Sequence, residues 1–226
     1  MAEKNIKEEK KTVSQKVADF LVKFRLPLLC VVGACIVAAV VVGVVLAVTQ
    51  SSHKKALSEL DSIMYPLSQK SESDLTAAQD EALPKLDSLA QKNKGNIGGV
   101  RAYMAIAEIY FSRDQYEPAA EAWVKAAVAE EDSYTAAVCY YNAAVCYEEM
   151  GDVATAVSYY EKALANKECL FVPHVLFSLG RLAEESGDFE KAANRYNELV
   201  GSYPSDEWAN LAKSRLIELG IEGKIQ

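Results

Sequence analysis

Histidine is nearly missing from this sequence: His53 and His174 are the two in 226 residues. Imidazole-based metal centres and acid–base relays therefore have little raw material. No HExxH, paired CxxC, Walker-type glycine loop or G-x-S-x-G occurs, so we expect no enzyme, no cofactor and no metal. The acidic pairs Glu130-Glu131, Glu148-Glu149 and Glu184-Glu185 read as solvated charge. A disulfide framework is lacking too. Cys30 and Cys35 lie in an apolar run, and Cys169 has no evident mate. Cys139 and Cys146 fall on one expected helix, about 10 Å apart along its axis, too far for a bridge. All five read as small hydrophobes.

Charge is absent from residues 26–48. As a helix this run is about 34 Å long, enough to cross a hydrocarbon core of roughly 30 Å. It is too long for the apolar core of a cleaved signal peptide, and no A-x-A pattern closes it. A lipoprotein-like Val32-Gly33-Ala34-Cys35 occurs, but Cys35 leads into Ile36-Val37-Ala38-Ala39 rather than a polar tether. A retained span is the expected reading, with a lipid anchor at Cys35 the alternative. Before the span, residues 1–25 hold seven Lys/Arg against four acids, a balance of +3; the chain as a whole is −8, so the remainder carries −11. The positive-inside bias puts the N-terminus in the cytoplasm and the remainder across the membrane. A domain this acidic repels phosphate backbones, so no nucleic acid is expected as partner. Val13, Val17, Phe20, Leu21 and Phe24 recur at helical spacing among Lys16, Lys23 and Arg25, as in a helix lying on an anionic leaflet. Up to Lys11 a disordered basic tail fits equally well. Cys35, Ala39, Gly43 and Ala47 form a small-residue stripe of the kind that packs helices, or that a Val/Ala/Gly-rich span produces by chance.

Beyond residue 97 the sequence repeats. Tyr103, Ile106, Ala107 and Tyr110 are followed by Tyr116, Ala119, Trp123 and Ala126. The same places hold Tyr140, Ala143, Ala144 and Tyr147, then Val153, Ala156, Tyr160 and Ala163. In a third segment they hold Leu176, Leu179, Gly180 and Ala183, then Phe189, Ala192, Tyr196 and Leu199, with Pro204 after them. Ala107 and Ala144 are 37 residues apart, Ala144 and Gly180 36. Met150-Gly151-Asp152 and Ser186-Gly187-Asp188 supply the turns inside units two and three. Small residues let the paired helices approach, and Trp123, Tyr160 and Tyr196 fill the space between units. Ala82, Leu86 and Leu89 suggest one further second helix, kinked or started by Pro84, after a degenerate helix near Leu57–Leu67. Ser205 is placed to cap a closing helix, Asp206–Leu219.

This pattern resembles the tetratricopeptide repeat, W-x2-L-G-x2-Y then A-x3-F then P. The expected fold is all-α: one N-terminal transmembrane helix, then an α-solenoid of about three helix pairs plus partial and capping helices. The divisions are a basic tail (1–25), a span (26–50), juxtamembrane helices and a degenerate repeat (51–97), repeats (98–204; about 100–133, 137–170 and 173–204) and a cap (205–226). The resemblance implies a concave groove lined from places 2, 5, 9, 12 and 13 of each first helix. Here these are Arg101, Met104, Glu108, Phe111 and Ser112, then Val138, Tyr141, Val145, Glu148 and Glu149, then His174, Phe177, Arg181, Glu184 and Glu185. Asn142 joins the candidate peptide-binding set as the one match to the family's carboxylate clamp, whose other places hold Met104, Glu108, His174 and Ser178. An extended, partly apolar or basic segment suits such a groove better than a clamped carboxylate.

The layout as a whole, with Phe20-Leu21-Val22-Lys23-Phe24, the span and the repeats, resembles the ancillary subunit family of the bacterial SecYEG translocon. That likeness implies a single-pass inner-membrane protein with a periplasmic repeat domain. Its protein partners would be the Sec translocon, periplasmic chaperones or exported chains. The alternative is a lipid-anchored envelope assembly or transporter-accessory protein, because Tyr203-Pro204-Ser205-Asp206 and the closing helix also resemble the cell-division coordinator and outer-membrane assembly families.

Overall fold

The protein is described by a computed structural model covering residues 13–225. Residues 1–12, with Lys4, Lys7, Lys10 and Lys11 of the basic tail, lie outside the described residues, as does Gln226. Ten helices and no strand are present among the described residues. The chain divides into two compact units, residues 1–52 and 53–226.

In the first unit, α1 (Val13–Lys23) is followed after Phe24 by the opening of α2 (Arg25–Ser68). The Phe20 and Phe24 rings lie 4.8 Å apart. The uncharged run sits wholly within α2, long and apolar enough to cross a membrane, and none of its most apolar window is buried inside the protein. Val37 and Leu46, for example, are 63% and 62% exposed. The apolar run predicts a helix ending at residue 50, with another near Leu57–Leu67. Instead α2 runs unbroken for 44 residues. Thr49-Gln50-Ser51-Ser52-His53-Lys54-Lys55 changes polarity but holds no Gly or Pro, so nothing stops the helix where the apolar run stops.

The second unit begins with the last part of α2. Then come α3 (Glu72–Lys92), α4 (Ile97–Phe111), α5 (Tyr116–Ala129), α6 (Tyr134–Glu149), α7 (Val153–Ala165), α8 (Val172–Glu185), α9 (Phe189–Ser202) and α10 (Glu207–Ile221). Helices α4/α5, α6/α7 and α8/α9 pair. Pro84 neither starts nor ends α3, which begins twelve residues earlier. Its exposed ring faces solvent, where water can serve the carbonyl that loses its partner. The cap of α10 is Asp206, not Ser205: its carboxylate accepts the Trp208 N–H at 2.9 Å. Asp152 and Asp188 cap α7 and α9 likewise, through Thr155 and Lys191.

One turn recurs through the array. Gly151 and Gly187 take positive φ, 75° and 79°, at the ends of α6 and α8. Asp114 does so at 57° after α4, and Gly223 at 69° after α10. In each, two successive N–H groups close on the carbonyls of the last turn, as from Gly187 to Glu184 and Asp188 to Ala183. Helix α10 therefore ends as the first helix of each pair does, and it occupies that place in the stack.

The core follows from close helix approach. A Cβ on Gly180 would lie 2.4 Å from the Tyr196 ring, so α8 seats directly on α9. Tyr160 and Tyr196 are 1% and 0% exposed, and Trp123 is buried. Burial of each such ring contributes about 2–3 kcal/mol.

Candidate functional site

The first helices share one face, which differs between its two halves. In the half built by α6, α8 and α10, side chains engage one another. The Tyr141 hydroxyl and His174 Nε2 are 2.9 Å apart. The His174 ring stacks on Trp208, centroids 4.0 Å apart and planes 11° from parallel. Phe177 meets Trp208 at 5.2 Å and Tyr196 at 5.6 Å. Beside this stack, Arg181 pairs with Glu148 and with Glu185, and Arg215 pairs with Glu184 and Glu218. The Arg181–Glu148 and Arg215–Glu184 pairs link residues 33 and 31 positions apart, so α6 is riveted to α8 and α8 to α10.

Electrostatics agree with that engagement. Burial lowers the pKa of His174, Arg181 lowers it further, and Glu148 opposes them. Although burial works against ionisation of Glu184, hydrogen bonds from Arg215 and Tyr196 hold its carboxyl low. Nearby, burial pushes the Cys139 and Cys146 thiols up to about 12, which makes them inert hydrophobes.

The other half is open. At Gly98 a Cβ would meet the Ala56 Cβ at 2.3 Å, so α2 and α4 touch there almost backbone to backbone. Further along they part. A cleft of about 760 Å³ lies between Asp61, Met64, Tyr65, Leu67 and Ser68 of α2, Leu75 and Gln79 of α3, and Glu108, Ile109 and Ser112. Its back wall is fixed by Arg113, which donates to Gln79 at 2.7 Å, Asp80 at 2.7 Å and the Thr76 carbonyl at 2.8 Å. A second cleft of about 370 Å³ adjoins it, lined by Leu60, Met64, Arg101, Met104, Ala105, Glu108, Tyr134, Thr135 and Val138. Glu108 borders both, and partial burial, which disfavours its ionised form, raises its pKa.

The candidate groove residues thus separate. Tyr141, His174, Phe177 and Arg181 come together, but with α10 and with each other. Arg101, Met104, Glu108 and Val138 share the smaller cleft. Phe111 turns toward Tyr116, ring centroids 5.5 Å apart. Asn142 and Val145 are half-buried. Sequence reasoning missed Asp61, Met64, Tyr65, Leu75 and Gln79 because α2 and α3 lack the repeat signature. It also missed Trp208 and Arg215, though a signal existed: each lies 34 residues after its counterpart in α8, His174 and Arg181. Among the described residues, no group of three or more His, Cys, Asp or Glu side chains could hold a metal ion.

Over 152 residues the chain is 34% identical to a TPR repeat-containing protein of Treponema pallidum (strain Nichols), covering 67% of this chain and 64% of the relative's length. The repeats are similar to those of this tetratricopeptide protein, of which the chain spans less than two thirds. A family model described as a domain of unknown function, DUF6340, matches residues 105–198, from within α4 to within α9. Similar solved structures include MamA, at 17% identity and TM-score 0.48, covering 66% of this chain and 82% of that one. Another is BtubC (BKLC) from P. vanneervenii, at 21% identity and TM-score 0.46, covering 58% and 64%.

Proposed function

We infer that this chain is a membrane-anchored tetratricopeptide scaffold that binds a segment of another protein rather than turning over a substrate. The observation that carries this reading is the open half of the first-helix face. Two adjoining clefts with largely apolar linings lie there between α2, α3, α4 and α6. Such grooves serve segments that present side chains at regular spacing.

Anchoring rests on the uncharged part of α2 and the excess of Lys and Arg before it. We place the protein in a bacterial inner membrane, N-terminus cytoplasmic and repeats periplasmic. There, as the resemblance to the translocon's ancillary subunit suggests, it would assist exported chains. Cys35 lies mid-helix, with turns of α2 on both sides. The apolar Ile36-Val37-Ala38-Ala39 after it, in place of a polar tether, favours a retained span over a lipidated N-terminus.

The test is photocrosslinking in native membranes from a reactive group at Met104 or Val138, with Glu190 of α9 as control. Capture of a polypeptide from the clefts above the control supports the scaffold; equal capture from both faces refutes it. Protease added to intact spheroplasts should digest the repeats; protection of the repeats until lysis would reverse the topology. An intact mass retaining residues 1–34 is expected, and their loss with the mass of a lipid added at Cys35 would establish lipidation instead.

A further inference from the structure

The larger cleft has a chemistry that the binding reading alone does not supply. Its floor is apolar: Met64, Leu67, Leu75 and Ile109. Its charged lining consists of two carboxylates, Asp61 and Glu108, with no Lys or Arg among the residues that form it. Neither carboxylate makes an ion pair among the described residues, whereas Glu59 and Asp80 close by pair with Lys92 and Arg113. Tyr65 stands beside them, 68% exposed, with no ring or cation partner among the described residues. Elsewhere in this unit a half-buried aromatic does hold a cation: Lys162 lies 4.4 Å from the centre of the Tyr159 ring.

Two unpaired carboxylates beside an open aromatic face form a receptor for an ammonium or guanidinium group. The apolar floor behind them fits a bulky aliphatic side chain, and the volume lies within the roughly 300–1,000 Å³ usual for binding pockets. An acyl chain would fill the floor equally well. Its carboxylate or phosphate head would meet Asp61 and Glu108 with like charge, so a lipid is disfavoured.

We propose that the cleft between α2, α3 and α4 selects a protein segment carrying a Lys or Arg beside a bulky aliphatic residue. The aliphatic group enters between Met64 and Ile109, and the cation stays at the mouth between Asp61, Glu108 and Tyr65. Arg101, two turns from Glu108 in the adjoining cleft, sets the direction of the segment by disfavouring a second cation at that end.

This assignment rests on the scaffold reading, and one experiment separates the two. The full chain in nanodiscs is titrated with three fluorescein-labelled 14-residue peptides. They share the same leucine spacing and differ in carrying Lys, Gln or Glu beside each leucine. The Lys peptide should bind roughly tenfold more tightly than the Glu peptide, with Gln between. In Asp61→Asn/Glu108→Gln the preference should vanish while the Gln peptide binds as before, with circular dichroism confirming an intact fold. Equal binding of all three overturns the cation site but leaves the scaffold standing if Met104 still captures polypeptide. A Lys preference that survives in the double variant places the cation elsewhere and likewise overturns it. Displacement of the peptides by micromolar myristate would assign the cleft to lipid. No binding of any peptide, together with no capture from Met104, removes both readings.

Discussion

The two halves of the first-helix face use the same repeat places to opposite ends. Place 9 of the first helix is Glu108 in α4 and Arg181 in α8; place 12 is Phe111 in α4, Glu148 in α6 and Glu184 in α8. Where an acid at place 12 faces an arginine at place 9 of the next unit, the units are riveted and the face is spent on stability. Where place 12 is Phe111 and place 9 of the next first helix is Val145, no rivet forms between α4 and α6, and Glu108 at place 9 of α4 has no ion-pair partner among the described residues. Repeat identity therefore says where the face is. The pairing of two places across a unit boundary says whether it is available.

The sharpest way to break this comparison is to remove a ring from the riveted half. Tyr196→Ala should cost about 3–5 kcal/mol, because it empties a fully buried site and leaves Gly180 without its partner. Met104→Ala in the open half should cost under about 1 kcal/mol, since its side chain is already half in solvent. Urea midpoints followed by circular dichroism compare the two; similar losses would mean that the open half is packed as tightly as the other.

Next comes the rivet. Arg181→Met strands the Glu148 carboxylate, 17% exposed, and should cost about 1–3 kcal/mol. Adding Glu148→Gln should restore most of it, and a double-mutant cycle measures the coupling. Additive losses would mean the pair holds nothing together.

These two expectations show how much of the molecule could be read from its letters. The helix pairs announce themselves through Ala, Gly and aromatic spacing, and the turns through Gly151 and Gly187, because those features are local. The boundary of α2 was not legible. Hydropathy marks where an apolar run ends, not where a helix does. The division of the face was hidden for another reason: it depends on which side chain lies opposite which after stacking. Reading α10 as a closing helix, rather than as the next first helix, concealed Trp208 from His174. The large cleft escaped because Met64 and Leu75 belong to no repeat pattern, and their partnership is made by the splay of two helices.

A smaller effect is pH dependence in the riveted half. The folded pKa of His174 is depressed below its unfolded value, so its contribution to stability is complete above about 6.5. That contribution is lost as pH falls from there toward the folded value. Melting temperature should therefore decline between pH 7 and pH 5.5 and decline less in His174→Gln. A variant that follows the parent throughout would remove His174 from the stack's energetics.

The smallest effect belongs to the open half. The folded pKa of Glu108 is raised, so its relative contribution is greatest below the unfolded pKa and lost as pH rises. At neutral pH its ionised form brings no stability, and Glu108→Gln should change the urea midpoint by less than about 0.5 kcal/mol equivalent. A large loss would show that Glu108 already has a structural task.

The contact of Ala56 with Gly98 makes the open cleft a pair of rods pinned at one end. Tyr65 lies nine residues beyond the pin, about 13 Å along α2. A change of 5° in the angle between the rods therefore moves the mouth by about 1 Å, while the lining residues stay as they are. The aperture is set by a fulcrum that no ligand touches. Gly98→Ala, which would push the rods apart at the pin, should alter what the cleft admits without changing one atom of its walls.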